Sequence, residues 1–501
     1  MNILLVNPKT PPTFHSFKYA LKFIRKTISP PLGLLTVSSM LPQDWNRKLV
    51  DMNIEMLDDS DIRWADYVFI TGMDIQIDYF REVLQRCREE GTRIVAGGPM
   101  VTFEYENFPE VDHFILNEAE ITLPRFLEDL RNGNPQRVYS TDSYPDISKT
   151  PVPDWSLLKK KKYYMMNLQY SRGCPYNCEF CSITALNGRK PRTKGTSQFI
   201  AELDSLLDNG WKGSVFIVDD NFIGNRRKLK EETLPALVNW SRKHHYPFTF
   251  STEVSINLAD DQRLIDLMVE AGFKTIFVGI ETPNEESLRE CGKFHNMNRD
   301  MLDSVRKLQN NGLIVTAGFI IGFDNDTDSV FEQQENFIQR SGIISAMVGL
   351  LKAPHGSRLY ERLRREGRLL RRNSGNNMDG AMNFLPRMDS EKLMKGYKNL
   401  LESIYSQKQY YERIKRFIID YKPKLRIRRG IDLNDILGFF RSIWTLGIRE
   451  KGKRHFWKTL FYSLIKNPKS VPTMVVYATY GYHFRKIVES LQISALGCKN
   501  V

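Results

Sequence analysis

Tyr170-Ser-Arg-Gly-Cys174-Pro-Tyr-Asn-Cys178-Glu-Phe-Cys181 gathers three cysteines at spacing C-x3-C-x2-C in one short loop. The loop follows directly on a strand-like run, Tyr164-Met-Met-Asn-Leu-Gln-Tyr170. Three thiolates from one loop suit an iron–sulfur cube, in which each cysteine holds one iron and a fourth iron stays open to chemistry. A closed structural zinc site needs four ligands, usually from separated pairs, and this loop does not offer them. The other cysteines, Cys87, Cys291 and Cys498, are scattered singly, so no disulfide framework is expected and a reducing, cytoplasmic compartment fits.

Downstream of the loop, strands alternate with helices. Strands are expected at Met165 to Leu168, Ser214 to Val218, Phe248 to Ser251, Thr275 to Val278, Val315 to Ile321 and Ala346 to Leu351. Helices fall between them at Ser197 to Asp208, Lys228 to Lys243, Asp260 to Ala271, Arg299 to Gln309 and Asp328 to Ser341. Six such alternating units are a parallel β/α architecture, in which sites lie at the carboxyl ends of the strands. Those ends carry Cys174 to Cys181, Asp219-Asp220-Asn221, Glu253, Glu281 and Gly322-Phe-Asp324.

Upstream, a second alternating series reads as a doubly wound parallel sheet. Its strands are Ile3 to Val6, Lys48 to Asp51, Tyr67 to Thr71, Arg93 to Ala96 and His113 to Leu116, with helices at Leu34 to Leu41, Tyr79 to Glu90 and Leu123 to Arg131. Ligands of such sheets sit beyond the strand carboxyl ends. Here those ends are Asn7-Pro8, Asp51-Met-Asn53, Thr71-Gly72-Met73, Gly97-Gly98-Pro99 and Asn117-Glu118. No G-x-G-x-x-G follows the first strand, which weakens a dinucleotide reading. A proline-bearing stretch from Thr141 to Tyr163, ending in four lysines, reads as the linker between the two series.

The cysteine loop, with Phe180 before its last cysteine, resembles the cluster-binding signature of the radical S-adenosylmethionine (radical SAM) superfamily. A doubly wound domain ahead of it resembles the cobalamin-binding module of cobalamin-dependent radical SAM enzymes. Ser29-Pro-Pro31-Leu-Gly33-Leu34 is similar to that module's P-P-x-G-L segment, and Asn117-Glu118-Ala-Glu120 is a partial match to its Gly-Glu-Gly-Glu. Gly318-Phe-Ile-Ile-Gly322 resembles the family's G-x-I-x-G strand, and Pro354-His-Gly-Ser-Arg-Leu-Tyr360 its P-x-G-T/S-x-L-Y segment. The D-x-H-x-x-G motif of many cobalamin enzymes is absent. His15 lacks the flanking Asp and Gly, so cobalt is expected without a histidine below it, with Thr71 to Gln76 on that side.

The resemblance implies a flavodoxin-like cobalamin domain (1–140), a linker (141–163), a partial (β/α)6 TIM-type barrel (164–360) and a basic helical C-terminal region (361–501). It implies a [4Fe-4S] cluster on Cys174, Cys178 and Cys181, together with S-adenosylmethionine and cobalamin. On the S-adenosylmethionine or substrate side stand Glu253, Glu281, Asp219, Asp220, Arg172, Phe180, Gly318 and Gly322. On the cobalamin side stand Pro31, Gly33, Asp51, Gly72, Met73, Gly97, Gly98 and Glu118. The implied reaction is methylation of an unactivated carbon through a 5′-deoxyadenosyl radical and methylcobalamin, with an electron donor such as ferredoxin or flavodoxin. Oxidative ring closure on the same domains is the alternative, and a non-catalytic cofactor-binding protein a third reading.

The net charge of +13 belongs to the tail: Leu401 to Val501 holds 20 Lys and Arg against 7 Asp and Glu. Helices are expected over Glu361 to Arg372 and Glu391 to Arg413, with a polar loop from Asn373 to Gly380 placed to cover the barrel mouth. Asn383-Phe-Leu-Pro-Arg387, Gly396-Tyr397 and Tyr410-Tyr-Glu-Arg413 resemble the C-terminal domain of hopanoid C-2 methylase-like enzymes, which favours a lipid-like substrate. Beyond them, Arg426-Ile-Arg-Arg429 and the aromatics Phe439, Phe440, Trp444, Phe456, Trp457, Phe461 and Tyr462 fit either peripheral contact with an anionic membrane or a packed helical cap. No nucleic-acid-binding motif is present, so no nucleic acid is expected, and no apolar run reaches transmembrane length.

Overall fold

The computed structural model describes residues 1–24, 26–376, 379–424 and 433–491. The first sheet is built from β1 (Asn2–Asn7), β2 (Asn46–Asp51), β3 (Tyr67–Thr71), β4 (Arg93–Gly97), β5 (His113–Ile115) and β6 (Val138–Tyr139). Every pairing is parallel, in the order β2-β1-β3-β4-β5-β6. This is the flavodoxin-like winding, which reverses between β1 and β3 and opens a crevice there. Ile3, Leu4, Leu5 and Val6 are all fully buried because helices cover both faces, so β1 is apolar without alternation. The sixth strand, two residues at the sheet edge, is too short to leave a periodic signal in the sequence.

The second sheet runs β7 (Met165–Leu168), β8 (Gly213–Ile217), β9 (Phe248–Val254), β10 (Phe273–Glu281), β11 (Ile314–Ile321) and β12 (Ala346–Leu350). These strands pair in sequence order, all parallel, and form the open partial barrel. Burial alternates residue by residue along β8 and β9, so one face packs on helices while the other, which includes Glu253, looks into a hollow interior.

Three expected helices differ in detail. Lys228 to Lys243 runs unbroken, but its turn Leu229–Thr233 is widened to i→i+5 bonding just ahead of Pro235, which has no N–H to give the ladder. The helix expected from Glu361 to Arg372 spans only Arg358–Arg365. The chain turns at Gly367 (φ +67°), and Leu369 then bridges to Phe384. The helix expected from Glu391 to Arg413 is two, Ser390–Ile404 and Gln407–Asp420. Ser406 caps the second by accepting from the Gln409 amide at 3.3 Å. Arg426 to Arg429 and Cys498 lie outside the described residues.

The last described helix folds back on the N-terminal segment. Helix Val471–Ser490 packs on the short helix Lys18–Leu21. His483 holds that segment through the Tyr19 amide (3.4 Å) and the Phe14 carbonyl (3.2 Å). Among the described residues, no helix is long and apolar enough to cross a membrane.

Candidate active site

The cysteine loop leaves β7 and is pinned from below by two aspartates. Asp219 accepts from the Tyr170 amide (2.7 Å) and Ser171 Oγ (2.6 Å). Asp220 accepts from the Gly173 amide (2.8 Å) and Asn187 Nδ2 (3.0 Å). Asp219 thus engages the loop through both of its carboxylate oxygens, while Asp220 does so through Oδ2 alone. Gly173 sits at φ +91°, and a Cβ there would lie 2.9 Å from three carbonyl oxygens, those of Asn187, Gly188 and Lys190. Only glycine fits at that corner.

The three thiols are free, half-buried and close enough to feel one another's charge. Burial pushes Cys181 up to about 12 and raises Cys174 and Cys178, so the thiolate forms need positive charge nearby. Among the described residues, no three His, Cys, Asp or Glu side chains converge on a point that would hold a single metal ion. Three cysteine thiols from one loop are the donor set of a cube with one open iron, whereas a closed zinc site calls for a fourth ligand. The donor set therefore fits the cluster.

Lys293, a buried residue absent from the expected site, supplies positive charge here. It ion-pairs with Glu281, lies 5.9 Å from the Phe180 ring and offsets part of the burial that raises the Cys178 thiol. Its segment docks on the loop: the Glu179 amide donates to the Cys291 carbonyl at 2.8 Å, and Gly292 packs on the Asn177 carbonyl. Glu281 itself takes a left-handed backbone (φ +63°), where β10 slips register against β11 between Gly279 and Glu281. Glu253 points into the same interior without a hydrogen-bond partner among the described residues. Burial, then the charges of Asp220 and Glu281, push it up to about 7.

A cavity of about 1150 Å³ runs from this interior to the carboxyl ends of the first sheet. On the barrel side it is lined by Phe180, Phe277, Glu281 and Gly318, and on the other by Asn7, Pro31, Met73 and Gln76. His15 opens onto it 6.1 Å from the Phe277 ring, and the protein around it lowers its pKa. Asn167 donates to Ser29 Oγ and the Pro30 carbonyl (both 3.0 Å), which seats Pro30-Pro31 over β7, and its own buried Oδ1 is left without a partner. Gly33 has open space where a Cβ would go, so backbone and ligand can approach there. These features of the first-sheet crevice fit a large, flat, polar-edged ligand such as a corrin.

The other expected residues stand elsewhere. Asp51 accepts from Asn7 Nδ2 (2.9 Å), the Asn53 amide (3.0 Å) and Tyr163 OH (2.9 Å), and so ties the crevice loops to the linker. Gly72, Gly97 and Gly98 are packed tightly: Gly98 (φ +102°) abuts the Thr71 hydroxyl, Gly97 the Ile115 carbonyl, and Gly72 the Phe80 ring. Gly322 (φ +106°) turns the chain after β11, and its amide donates to Asp326 at 2.8 Å. Arg172 bridges the two domains, bonding Glu118 (2.6 Å) and Glu120 (2.8 Å), while Arg192 takes the other Glu118 oxygen (2.6 Å). Burial alone would raise Glu120, but Arg172 outweighs it and holds the carboxyl below its usual range. The polar loop reaches the cavity through Asn373 and Gly375, and Lys352 anchors it by Ser374, the Asn376 carbonyl and Asp379.

Comparison with known proteins places these domains. Family models described as the B12 binding domain, the Radical SAM superfamily and a domain of unknown function (DUF4070) match residues 24–127, 168–338 and 357–495. The chain is 40% identical to an uncharacterized methyltransferase of Synechocystis sp., over 97% of this chain and 91% of that protein. It is 34% identical to the hopanoid C-2 methylase of Rhodopseudomonas palustris, over 93% of this chain and 89% of that one. Among solved structures, the radical S-adenosylmethionine methyltransferase TsrM of Kitasatospora setae, with cobalamin and a [4Fe-4S] cluster bound, shares the fold. The TM-score is 0.60 at 14% identity, covering 97% of this chain and 99% of that one.

Proposed function

Since this chain belongs to the cobalamin-dependent radical SAM enzymes related to hopanoid C-2 methylase, we propose that it methylates an unactivated carbon of an apolar, lipid-like polycyclic molecule. It is a cobalamin-dependent radical SAM methyltransferase that uses a [4Fe-4S] cluster, S-adenosylmethionine and cobalamin. The observation that carries the proposal is the single cavity joining the barrel interior to the crevice of the first sheet. When bound, the cluster and S-adenosylmethionine supply hydrogen abstraction and the corrin supplies the methyl group.

The chain's own residues hold and enclose these groups. In this reading residues 1–140 carry cobalamin, 141–163 link, 164–360 carry the cluster and S-adenosylmethionine, and 361–501 cap both. Cys174, Cys178 and Cys181 hold the cluster. Lys293 keeps positive charge beside Cys178 and sets the direction of Glu281. Glu253 and Glu281 would accept hydrogen bonds from the amino or ribose groups of S-adenosylmethionine, and the backbone at Gly318 would offer room for its adenine. Pro31, Gly33 and Met73 would hold cobalamin in the crevice, together with Ile75 and Gln76 of the same cavity wall. Phe277, Phe319 and Met347 give the substrate an apolar wall and keep water out. A small-molecule substrate and an external reductant are the partners, and the basic C-terminal helices provide peripheral membrane contact.

Anaerobic reconstitution with iron, sulfide and cobalamin, followed by mass spectrometry of the S-adenosylmethionine products, tests the proposal. Wild type should yield S-adenosylhomocysteine alongside 5′-deoxyadenosine, and Cys178→Ala neither. 5′-Deoxyadenosine formed without S-adenosylhomocysteine would point to ring-closing chemistry, and its persistence in Cys178→Ala would remove the cluster assignment.

A further inference from the structure

Of the nineteen large apolar side chains exposed among the described residues, ten fall between Ile436 and Val476. They are ordered. Ile436, Phe440, Trp444 and Ile448 recur every fourth residue along Leu433–Ser442 and the wide turn Ile443–Arg449 that continues it. Phe461 and Ile465 form a second stripe on the neighbouring helix Lys453–Lys466, where Trp457 Nε1 donates to the Gly447 carbonyl at 2.8 Å. Phe440 is 62% exposed, Trp444 57% and Ile465 79%, so most of each side chain faces water. Two apolar stripes on neighbouring helices of a folded domain mark a surface that is covered in use.

Its charge selects what covers it. From Arg441 to Ser470 the chain holds 8 Lys and Arg and a single acid, Glu450. Arg449, Lys451, Lys453, Arg454, Lys458, Lys466 and Lys469 are exposed, and none forms an ion pair among the described residues. Lysine-rich surroundings are unfavourable at a protein–protein interface, which is depleted of lysine. Aromatic and aliphatic stripes rimmed by unpaired cations are what an interfacial helix presents to anionic lipid.

The face also has a place relative to the cavity. Helix Leu433–Ser442 rests on residues 22–24: Arg441 Nη1 donates to the Phe23 carbonyl at 2.8 Å, and Gly438 packs on Ile24 with no room for a side chain. Leu21, Lys22 and Lys26 of that same segment line the cavity wall. We infer that the helices from Leu433 to Ser470 dock on an anionic bilayer and bring the cavity rim at Lys18 to Lys26 against it, so that an apolar substrate enters directly from the membrane. The nature of what enters rests on the reading given under Proposed function, whereas the docking face stands on its own stripes and charges.

The reconstituted full-length protein is floated with vesicles of phosphatidylcholine, with and without phosphatidylglycerol. Wild type should rise only with the phosphatidylglycerol vesicles. Phe440→Glu combined with Trp444→Glu should lower the bound fraction about tenfold or more while leaving far-UV circular dichroism unchanged. Lys453→Ala with Lys458→Ala should weaken binding and its salt dependence. Hydrogen exchange on the phosphatidylglycerol vesicles should slow in peptides covering 18–26 and 433–470. Wild type that stays with the lipid-free fraction, equal flotation of the Glu variant, or protection confined to other segments would each overturn the inference. 5′-Deoxyadenosine formation by the same samples in detergent reads the chemistry separately. Its loss in wild type would strike the catalytic reading, while flotation still decides the docking face.

Discussion

Glu253 lies in the barrel interior without a hydrogen-bond or ion-pair partner among the described residues, and its titration carries a sign that can be measured. Burial lifts it from an ordinary value near 4.5 to about 7, so the folded protein holds this proton where the unfolded chain has released it. Stability therefore falls as pH rises through that window, since the folded state binds more protons there. In the cluster-free protein, Glu253→Gln should flatten the pH dependence of urea unfolding between about pH 4.5 and 7. The same substitution should weaken S-adenosylmethionine at least about tenfold in equilibrium binding to the reconstituted enzyme, the loss of one charge-assisted hydrogen bond. Unchanged affinity would move S-adenosylmethionine away from β9. Glu253 was legible in the sequence because a strand end can be counted. Lys293 was not, because it faces Cys178 only through a turn at Gly292 (φ +71°) that lays its segment across the cysteine loop.

At the level of the element, the cysteine loop is shaped by its surroundings as much as by its own residues. Asp219 and Asp220 come from the neighbouring strand end and fix four groups of the loop and its flank between them. Counting strands places them at the mouth; the structure adds that they also hold the loop's backbone, Asp220 through Oδ2. Gly173→Ala would force a side chain against three backbone carbonyls in a left-handed conformation, roughly 1–3 kcal/mol of strain. The expected outcome is a folded barrel with less bound iron per chain after reconstitution, read by iron analysis beside circular dichroism. Full iron loading would show that the loop can adopt another path. The helix boundaries that differed have local causes: Ser406 caps a new helix, and Pro235 widens a turn. Both signals are present in the sequence, but apolar periodicity continues across them.

On the scale of the whole molecule, the two sheets are joined by buried charge. Arg172 and Arg192 meet Glu118 and Glu120 across the domain boundary, with the Arg172 side chain only 14% exposed. Removing one member leaves charges buried without full compensation, which costs about 3–5 kcal/mol. Arg172→Ala should therefore lower the melting temperature and speed proteolysis in the linker 141–163, both readable by calorimetry and timed digestion. Equal stability would mean that the domains are held by apolar contact alone. The C-terminal helices complete the enclosure from the other side, with Phe14, Tyr405 and Phe484 in ring contact where three parts of the chain meet.

The sequence by itself determined the two alternating series, the three-cysteine loop and the basic, aromatic tail. Each is written locally, in a period of side chains, a fixed spacing or a composition. What only the tertiary structure decided is who meets whom: that Arg172 serves the domain boundary, that Lys293 stands beside Cys178, and that one cavity joins barrel to crevice. The physical reason is that a charge or a void acquires its role from neighbours that the fold supplies from distant segments, and no local pattern in the chain encodes them.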